Sequence, residues 1–419
     1  MSCANVHGIR WLLIFHGMRY AEYSQNIILS DGCNALFINL TNKERQQARF
    51  ERDRKKRLEK RLQKEKELCN YDKAISVDEL IKAFYECKKG VSWKKSVQNY
   101  EMQLFQNVSE LHRKLANCKN VSRGYVQFYI WERGKKRKIQ ACHISERVVQ
   151  KSIANNILTP MLESTLTRNN CASQKGKGTH QAWNYFEQDL KKAYKKWGRD
   201  FYVIQSDFHN YFASIPHDKL IAALNEYFHD ERTRWYYKSV INSFYENGEC
   251  IGLGLGSQIC QNFAIFYPNL LDHYMEQFGD YGRFNDDIYL TVQTKEEAKQ
   301  ILNSMYRIVD SLGLEINKKK TRIVKATHVI TFLKTRFNLL DNGEVIRRPN
   351  HKSITRERKK LKKLKKKLDD GVLSFEDVRT SYASWRGSLK DKKCYKTLKS
   401  MDDLFNKLFI EDWRLDYES

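Results

Sequence analysis

Two acids stand side by side in Tyr281-Gly282-Arg283-Phe284-Asn285-Asp286-Asp287-Ile288-Tyr289-Leu290, and no other stretch of the chain restricts its fold as strongly. Downstream, Ile288, Leu290 and Val292 recur at every second position, the period of a strand that leaves a tight turn with one face buried. On such a platform Asp286 and Asp287 point outward and repel each other. A hard divalent cation such as Mg²⁺ relieves that repulsion through oxygen ligation. Paired aspartates in a hairpin turn are also ordinary solvated turn chemistry, so the pair needs a partner.

A third carboxylate supplies one. Phe201-Tyr202-Val203-Ile204-Gln205-Ser206-Asp207-Phe208 is an aromatic and β-branched run that puts Asp207 at a strand's end. A strand-terminal acid and a hairpin acid can hold two metal ions between them. Two-metal phosphoryl transfer needs that constellation, one ion at the attacking 3′-hydroxyl and the other at the departing pyrophosphate. Taken alone, Asp207 would serve equally well as a cap for the next element.

Charge points to the same class of partner. The chain has 419 residues, with 75 Lys and Arg against 50 Asp and Glu, a formal net charge of +25. That balance favours a polyanion, nucleic acid ahead of an anionic membrane. The short run Trp11-Leu12-Leu13-Ile14-Phe15 resembles neither a membrane span nor a signal peptide. Ten cysteines without a Cys-x-x-Cys pair exclude a standard zinc ribbon and fit free thiols in a reducing cytoplasm.

Residues 1–40 carry no usable motif, and Met18 is an alternative start. Thr41-Asn42-Lys43-Glu44 has capping-box spacing and opens a helix to Leu68 with 12 basic and 6 acidic residues between 41 and 68. Such a helix is either a solvated element or an RNA-contacting arm. Helical periodicity resumes at Val77-Leu80-Ile81-Phe84 and from Tyr100 to Leu115, with a basic loop around Trp93 between them. Residues 125–139 read as a hairpin whose tip and return strand carry Lys136 and Arg137. A helix from Ser145 is expected to stop near Pro160.

The Gly-Lys loop Ala172–His180, with Lys175, is suited to phosphate but lacks Walker A spacing. Phe212, five residues past Asp207, would lie beside a nucleotide sugar and clash with a 2′-hydroxyl; an ordinary core role is the alternative. Gly252-Leu253-Gly254-Leu255-Gly256 reads as flexible and then helical, and its spacing is not that of a dinucleotide fold. Thr294-Lys295-Glu296-Glu297 caps a further helix. Lys318-Lys319-Lys320 offers either a leaving-group acid or a solvated turn. Thr331–Phe337 alternates as a hairpin strand. Residues 353–371 form a basic helix suited to a duplex backbone, and a small helical bundle ends the chain.

In order and spacing these blocks resemble the reverse transcriptases of bacterial retroelements over roughly residues 75–390. Asp207 matches that family's first catalytic acid, and Phe284-Asn285-Asp286-Asp287 its Tyr-x-Asp-Asp box, with Phe for Tyr. By the same resemblance Phe208 and Phe212 line the dNTP site, Phe212 as sugar gate, and Lys320 is the lysine near the end of the palm. Phe332-Leu333-Lys334 falls on the primer grip. Leu255-Gly256-Ser257-Gln258-Ile259-Cys260-Gln261 looks like the aliphatic-Gly-x-x-x-Ser-Gln motif of diversity-generating retroelement enzymes, with Cys260 for Ser. Lys175–His180 resembles the fingers loop of that group, and antiviral-defence polymerases share these blocks. No maturase, endonuclease or RNase H pattern follows.

The resemblance implies an α+β right-hand polymerase fold. Its parts are a poorly organised segment 1–40, a basic helix 41–74, fingers 75–198, a catalytic palm 199–337 on an antiparallel sheet and a helical thumb 338–419. The expected activity is RNA-directed DNA synthesis from dNTPs. Asp207, Asp286 and Asp287 hold two Mg²⁺, or Mn²⁺ as a substitute. Lys136, Arg137, Lys175, Leu255 and Gly256 contact the nucleotide. Expected partners are template RNA, a DNA or RNA primer, and a dedicated non-coding RNA or accessory protein, with no membrane. A template-independent nucleotidyl transferase or a catalytically silent RNA-binding scaffold on the same fold are the alternatives.

Overall fold

The computed structural model describes residues 42–411 apart from Arg133, Glu246 and Asn247. The expectations for residues 1–40, and the Thr41 end of the capping box, lie outside the described residues. Nine strands are described, in three antiparallel sheets. They are β1 (Tyr125–Glu132), β2 (Lys135–Cys142), β3 (Tyr202–Asp207), β4 (Tyr281–Phe284), β5 (Asp287–Val292), β6 (Arg322–Lys325), β7 (Ile330–Phe332), β8 (Thr335–Leu339) and β9 (Val345–Pro349). Among the described residues no helix is long and apolar enough to cross a membrane.

The chain divides into two compact units built from interleaved segments. One comprises residues up to Leu166 with Asn210–Tyr274 and Arg307–Glu315. It is mostly helical, because apolar residues recur three and four apart: Leu104, Val108, Leu111 and Leu115 bury one face of helix Leu104–Ala116. Ser76 caps helix Val77–Lys88 by accepting from Glu79 N at 3.3 Å. Helix Ile144–Ile153 does not stop at Pro160. It runs through a π-helical stretch, Ala154–Leu158, into helix Thr159–Glu163, where the proline falls in the first turn and needs no N–H partner.

The glycine run of this unit also departs from the flexible loop expected. Gly252 N donates to Ile215 O at 2.8 Å and Leu253 N to Phe212 O at 2.7 Å. A Cβ on Gly254 would run into the Phe244 ring. These glycines therefore let the backbone pack against its own unit.

The second unit comprises Thr167–His209, Met275–Tyr306 and the chain from Ile316 onward. Its four-stranded sheet has the order β4-β5-β3-β6. Helix Thr179–Trp197 lays Phe186 and Leu190 on that sheet, in a core with Phe201, Val203, Tyr289, Ile330 and Phe337. The Phe186 ring meets Tyr289 edge-on at 4.6 Å and Phe337 at 4.8 Å. Strands β7, β8 and β9 form a separate meander. Beyond it, helices His351–Asp369, Phe375–Gly387 and Tyr395–Asn406 enclose Leu361, Val378, Tyr382, Met401, Phe405 and a further ring, Phe409. Asn350 caps the first of these, and Ser374 with Asp377 forms a capping box on the second.

Candidate active site

Strand pairing in the second unit sets two of the three acids opposite each other and leaves the third in the adjoining turn. Asp207 ends β3 directly opposite Asp287, the first residue of β5. Strands β4 and β5 close through the two-residue link Asn285-Asp286, with Phe284 paired to Asp287. Asn285 takes a left-handed φ of 54°, which asparagine tolerates better than most residues. Arg283, fully buried, donates from Nη1 to Asn285 O at 2.9 Å and so braces the turn from inside.

Like charges directly opposed across two strands destabilise a sheet unless something neutralises them. Asp207 is 4% exposed. Lys320 answers it with Nζ 2.6 Å from Oδ2. Asn317 adds two bonds, from its backbone N to Asp207 O at 2.8 Å and from Nδ2 to Oδ1 at 3.3 Å. Burial of Asp287, with the charges of Asp286 and Asp207 beside it, pushes its carboxyl up to about 7 against the pull of Lys320. Burial by itself would lower the Lys320 ammonium, but the hydrogen bond to Asp207 and the charges of all three aspartates hold it above its ordinary value. It is therefore cationic at neutral pH.

A second polar cluster stands behind β5. Tyr289 OH donates to Asp189 Oδ2 at 2.7 Å, Asn169 Nδ2 reaches the same oxygen at 2.9 Å, and Lys192 Nζ lies 2.9 Å from Oδ1. Burial raises the Asp189 carboxyl despite its bonds to Lys192 and Tyr289, and the nearby Asp280 charge adds to the rise. This cluster fixes the rotamer of Tyr289, two residues from Asp287 on the same strand.

Among the described residues no group of three or more His, Cys, Asp or Glu side chains is already gathered as a metal-ligand shell. The donor chemistry nevertheless fits a hard divalent ion. It consists of carboxylate oxygens alone, two of the acids are opposed across paired strands, and the counter-charge now comes from a lysine that is itself half exposed.

The other candidate residues divide between the units. In the second, Phe208 is buried and bridges to Ile316. Lys175 is exposed on its loop. Phe332 is buried, its ring 5.1 Å from Phe186 and 5.0 Å from Tyr289. Leu333 and Lys334, with φ of 45° and 63°, form the tight turn from β7 to β8. In the first unit, Phe212 is half-buried and its carbonyl accepts from Leu253 N at 2.7 Å. Leu255 O accepts from Gln140 N at 3.1 Å, and Gly256 lies against the Gln140 carbonyl. The β1–β2 register sets Lys136 beside Trp131, its ammonium 4.1 Å over the Tyr129 ring. Arg137 is one residue on, turned to the opposite face, where it pairs with Glu132 at 2.9 Å.

Arg283, Asn317, Asp189 and Tyr289 were not among the residues singled out by sequence. An arginine inside a short apolar strand, and an asparagine three residues before Lys320, were the available signals.

The family model for reverse transcriptase (RNA-dependent DNA polymerase) matches residues 122–337, just over half of the chain. No curated protein matches it.

Proposed function

Because the chain belongs to the reverse transcriptase family, and is thus an RNA-directed DNA polymerase with a palm fold, we propose that its catalytic centre is the carboxylate cluster of the second unit. Members of this family generally bind template nucleic acid and dNTPs and use divalent metal ions. The observation that carries the proposal is the direct opposition of Asp207 and Asp287, with Asp286 in the adjoining turn.

In this reading Asp207 and Asp286 hold two Mg²⁺, with Asp287 assisting. Bound there, the ions supply activation of the primer 3′-hydroxyl and stabilisation of the pyrophosphate. The hydroxyl oxygen forms a bond to the α-phosphorus of the dNTP, the bond to pyrophosphate breaks, and the hydroxyl proton passes to solvent water. Lys320, kept protonated by its acidic neighbours, exchanges its contact with Asp207 for the charge on the phosphates and can donate a proton to the leaving group. Asn317 then holds the Asp207 rotamer through its Nδ2. Arg283 holds the turn that aims Asp286.

The nucleotide contacts complete the proposal. Phe208 and Phe212 line the sugar, with Phe212 excluding a 2′-hydroxyl. Leu255 and Gly256 meet the nascent base pair, Lys136, Arg137 and Lys175 serve the triphosphate, and Phe332-Leu333-Lys334 holds the primer. Residues 75–198 act as fingers, 199–337 as palm and 338–419 as thumb. The Leu255–Gln261 and Lys175–His180 blocks favour a bacterial or phage retroelement enzyme, of the diversity-generating or antiviral-defence kind.

The test is dNTP incorporation on a primed RNA template with Mg²⁺, beside Asp207→Ala and Asp286→Ala. Loss of at least about 10³-fold in both variants, with folding retained, is expected for removal of a charge the transition state depends on. Incorporation unchanged in either variant would overturn the assignment. Products whose sequence is independent of the template would point to template-independent transfer.

A further inference from the structure

The first helix, Asn42–Leu68, lies wholly outside the matched segment 122–337, so the shared polymerase module does not account for it. Its two ends differ. Toward the C-terminus it is bolted to its own unit. Glu65, buried, accepts from the backbone N–H groups of His229 at 2.7 Å and Asp230 at 3.1 Å, and its second oxygen meets His229 Nδ1 at 2.8 Å. Arg61 pairs with Glu226 at 2.9 Å while its guanidinium lies 4.5 Å over the Tyr227 ring.

Ahead of that anchor the helix is bare. Every residue from 51 to 60 is exposed, nearly three turns and about 15 Å of rod with no covered side. Arg54, Lys55, Lys56, Arg57 and Lys60 form no ion pair among the described residues, whereas Arg61 just beyond them does. At 100° per residue, the four consecutive cations point in four directions around the axis. A rigid base thus presents a ring of cations already held in place.

We propose that residues 51–60 form an arm that grips the phosphate backbone of a folded RNA, independently of its sequence and without any of the residues assigned to the polymerase centre. Three features select this partner. Cations on all sides suit phosphates that flank the helix on more than one side, as in a groove of folded RNA, and do not suit a flat acidic surface. Leu58 is the single large apolar residue between 51 and 60, so the arm has no face to insert into a lipid headgroup layer. It also carries no aromatic ring between 51 and 60 on which an unpaired base could stack, so it engages backbone and shape.

The experiment uses the full-length protein and a fluorescent RNA stem-loop with an internal bulge, with binding measured from 50 to 200 mM salt (about a fourfold range over which counterion release dominates). The variant replaces four cations together: Arg54→Gln, Lys55→Gln, Lys56→Gln and Arg57→Gln. Glutamine keeps helix propensity, and circular dichroism checks that the helix persists. The expected result is affinity lower by about tenfold or more, and a plot of log K against log salt shallower by about 3. A second variant, Arg54→Lys with Arg57→Lys, keeps the charge and is expected to bind as the parent does.

Primer extension on a short primed RNA template at saturating concentration is read in parallel and is expected to be unchanged. This separates failure of the arm from failure of the polymerase assignment. Unchanged affinity and salt slope in the fourfold variant overturn the proposal. So does loss of primer extension in step with RNA binding, which would make the helix part of the catalytic path. Vesicles of phosphatidylserine and phosphatidylcholine provide the remaining comparison: charge-dependent vesicle binding without a change in RNA binding would assign the arm to a membrane instead.

Discussion

Strands β1 and β5 are written in much the same alphabet, Tyr-Val-Gln-Phe-Tyr-Ile-Trp-Glu in one and Asp-Ile-Tyr-Leu-Thr-Val in the other, and they meet opposite fates. In β5, Ile288, Tyr289, Leu290 and Val292 are at most 2% exposed. In β1, Val126 is 70% and Trp131 73% exposed. Strand β5 has β4 on one edge, β3 on the other and helix Thr179–Trp197 against it, whereas among the described residues β1 pairs with β2 alone. What separates them is the covering elements, not strand propensity. Burial is also the largest cause of the raised carboxyl of Asp287 at the start of β5, a cause that a bare hairpin would not supply.

Deleting side chains tests that contrast most severely. Leu290→Ala removes a fully buried side chain and is expected to cost about 3 kcal/mol, partly as a residual cavity. Ile130→Ala, on a side chain 40% exposed, is expected to change stability by no more than about 0.5 kcal/mol. Urea unfolding of both variants reads the difference. Equal losses would mean that the hairpin is covered in solution.

Glycines give the next largest contrast. A Cβ on Gly282 in β4 would meet the buried Tyr289 ring, which has nowhere to go, so Gly282→Ala is expected to cost about 2 kcal/mol through overpacking. Gly134, in the β1–β2 turn, has φ +83° and open space where a Cβ would stand. Gly134→Ala should therefore cost only the backbone strain, about 1 kcal/mol. Thermal unfolding of the two variants checks the order.

These contrasts also show what the sequence could and could not reveal. Asp207, Asp286 and Asp287 were legible because strand period and turn position fix where an acid stands in a strand, and pairing then follows. The helices His351–Asp369 and Lys295–Ser311 were legible within a few residues from their caps and apolar spacing. Arg283 was not, because a buried guanidinium depends on acceptors supplied by residues folded around it. Nor was the packed state of Gly252–Gly256: glycine permits both a flexible loop and a close backbone approach, and only the Phe244 ring and the Ile215 carbonyl decide between them. Two units built from interleaved segments are likewise invisible to a reading that moves along the chain and marks contiguous ranges.

The polar cluster behind β5 offers a smaller effect. Tyr289→Phe removes the hydroxyl that donates to Asp189 and leaves the ring in place, so the expected cost is about 1 kcal/mol. If the cluster also holds β5 in register behind Asp287, the variant should lower kcat for incorporation while leaving the KM for dNTP near that of the parent. A change in stability without a change in kcat would limit the cluster to packing.

The last contrast lies at the root of the hairpin, where its exposure ends. Glu146, 3% exposed in helix Ile144–Ile153, accepts from Ser122 Oγ at 3.1 Å and from Gln150 Nε2 at 3.3 Å. Burial raises its carboxyl, and the hydrogen bonds from Ser122 and Gln150 only partly oppose the rise. Between the ordinary carboxylate value and the raised one, the folded chain holds a proton that the unfolded chain has released. Stability therefore falls as pH rises through that window and levels off above it, with a slope below about 1.4 kcal/mol per pH unit. Glu146→Gln keeps the shape and one acceptor but carries no charge, so its unfolding free energy should be flatter across the same window. A parent and variant with parallel pH profiles would show that water reaches Glu146, and the boundary between covered and bare structure would then run inside the hairpin's root.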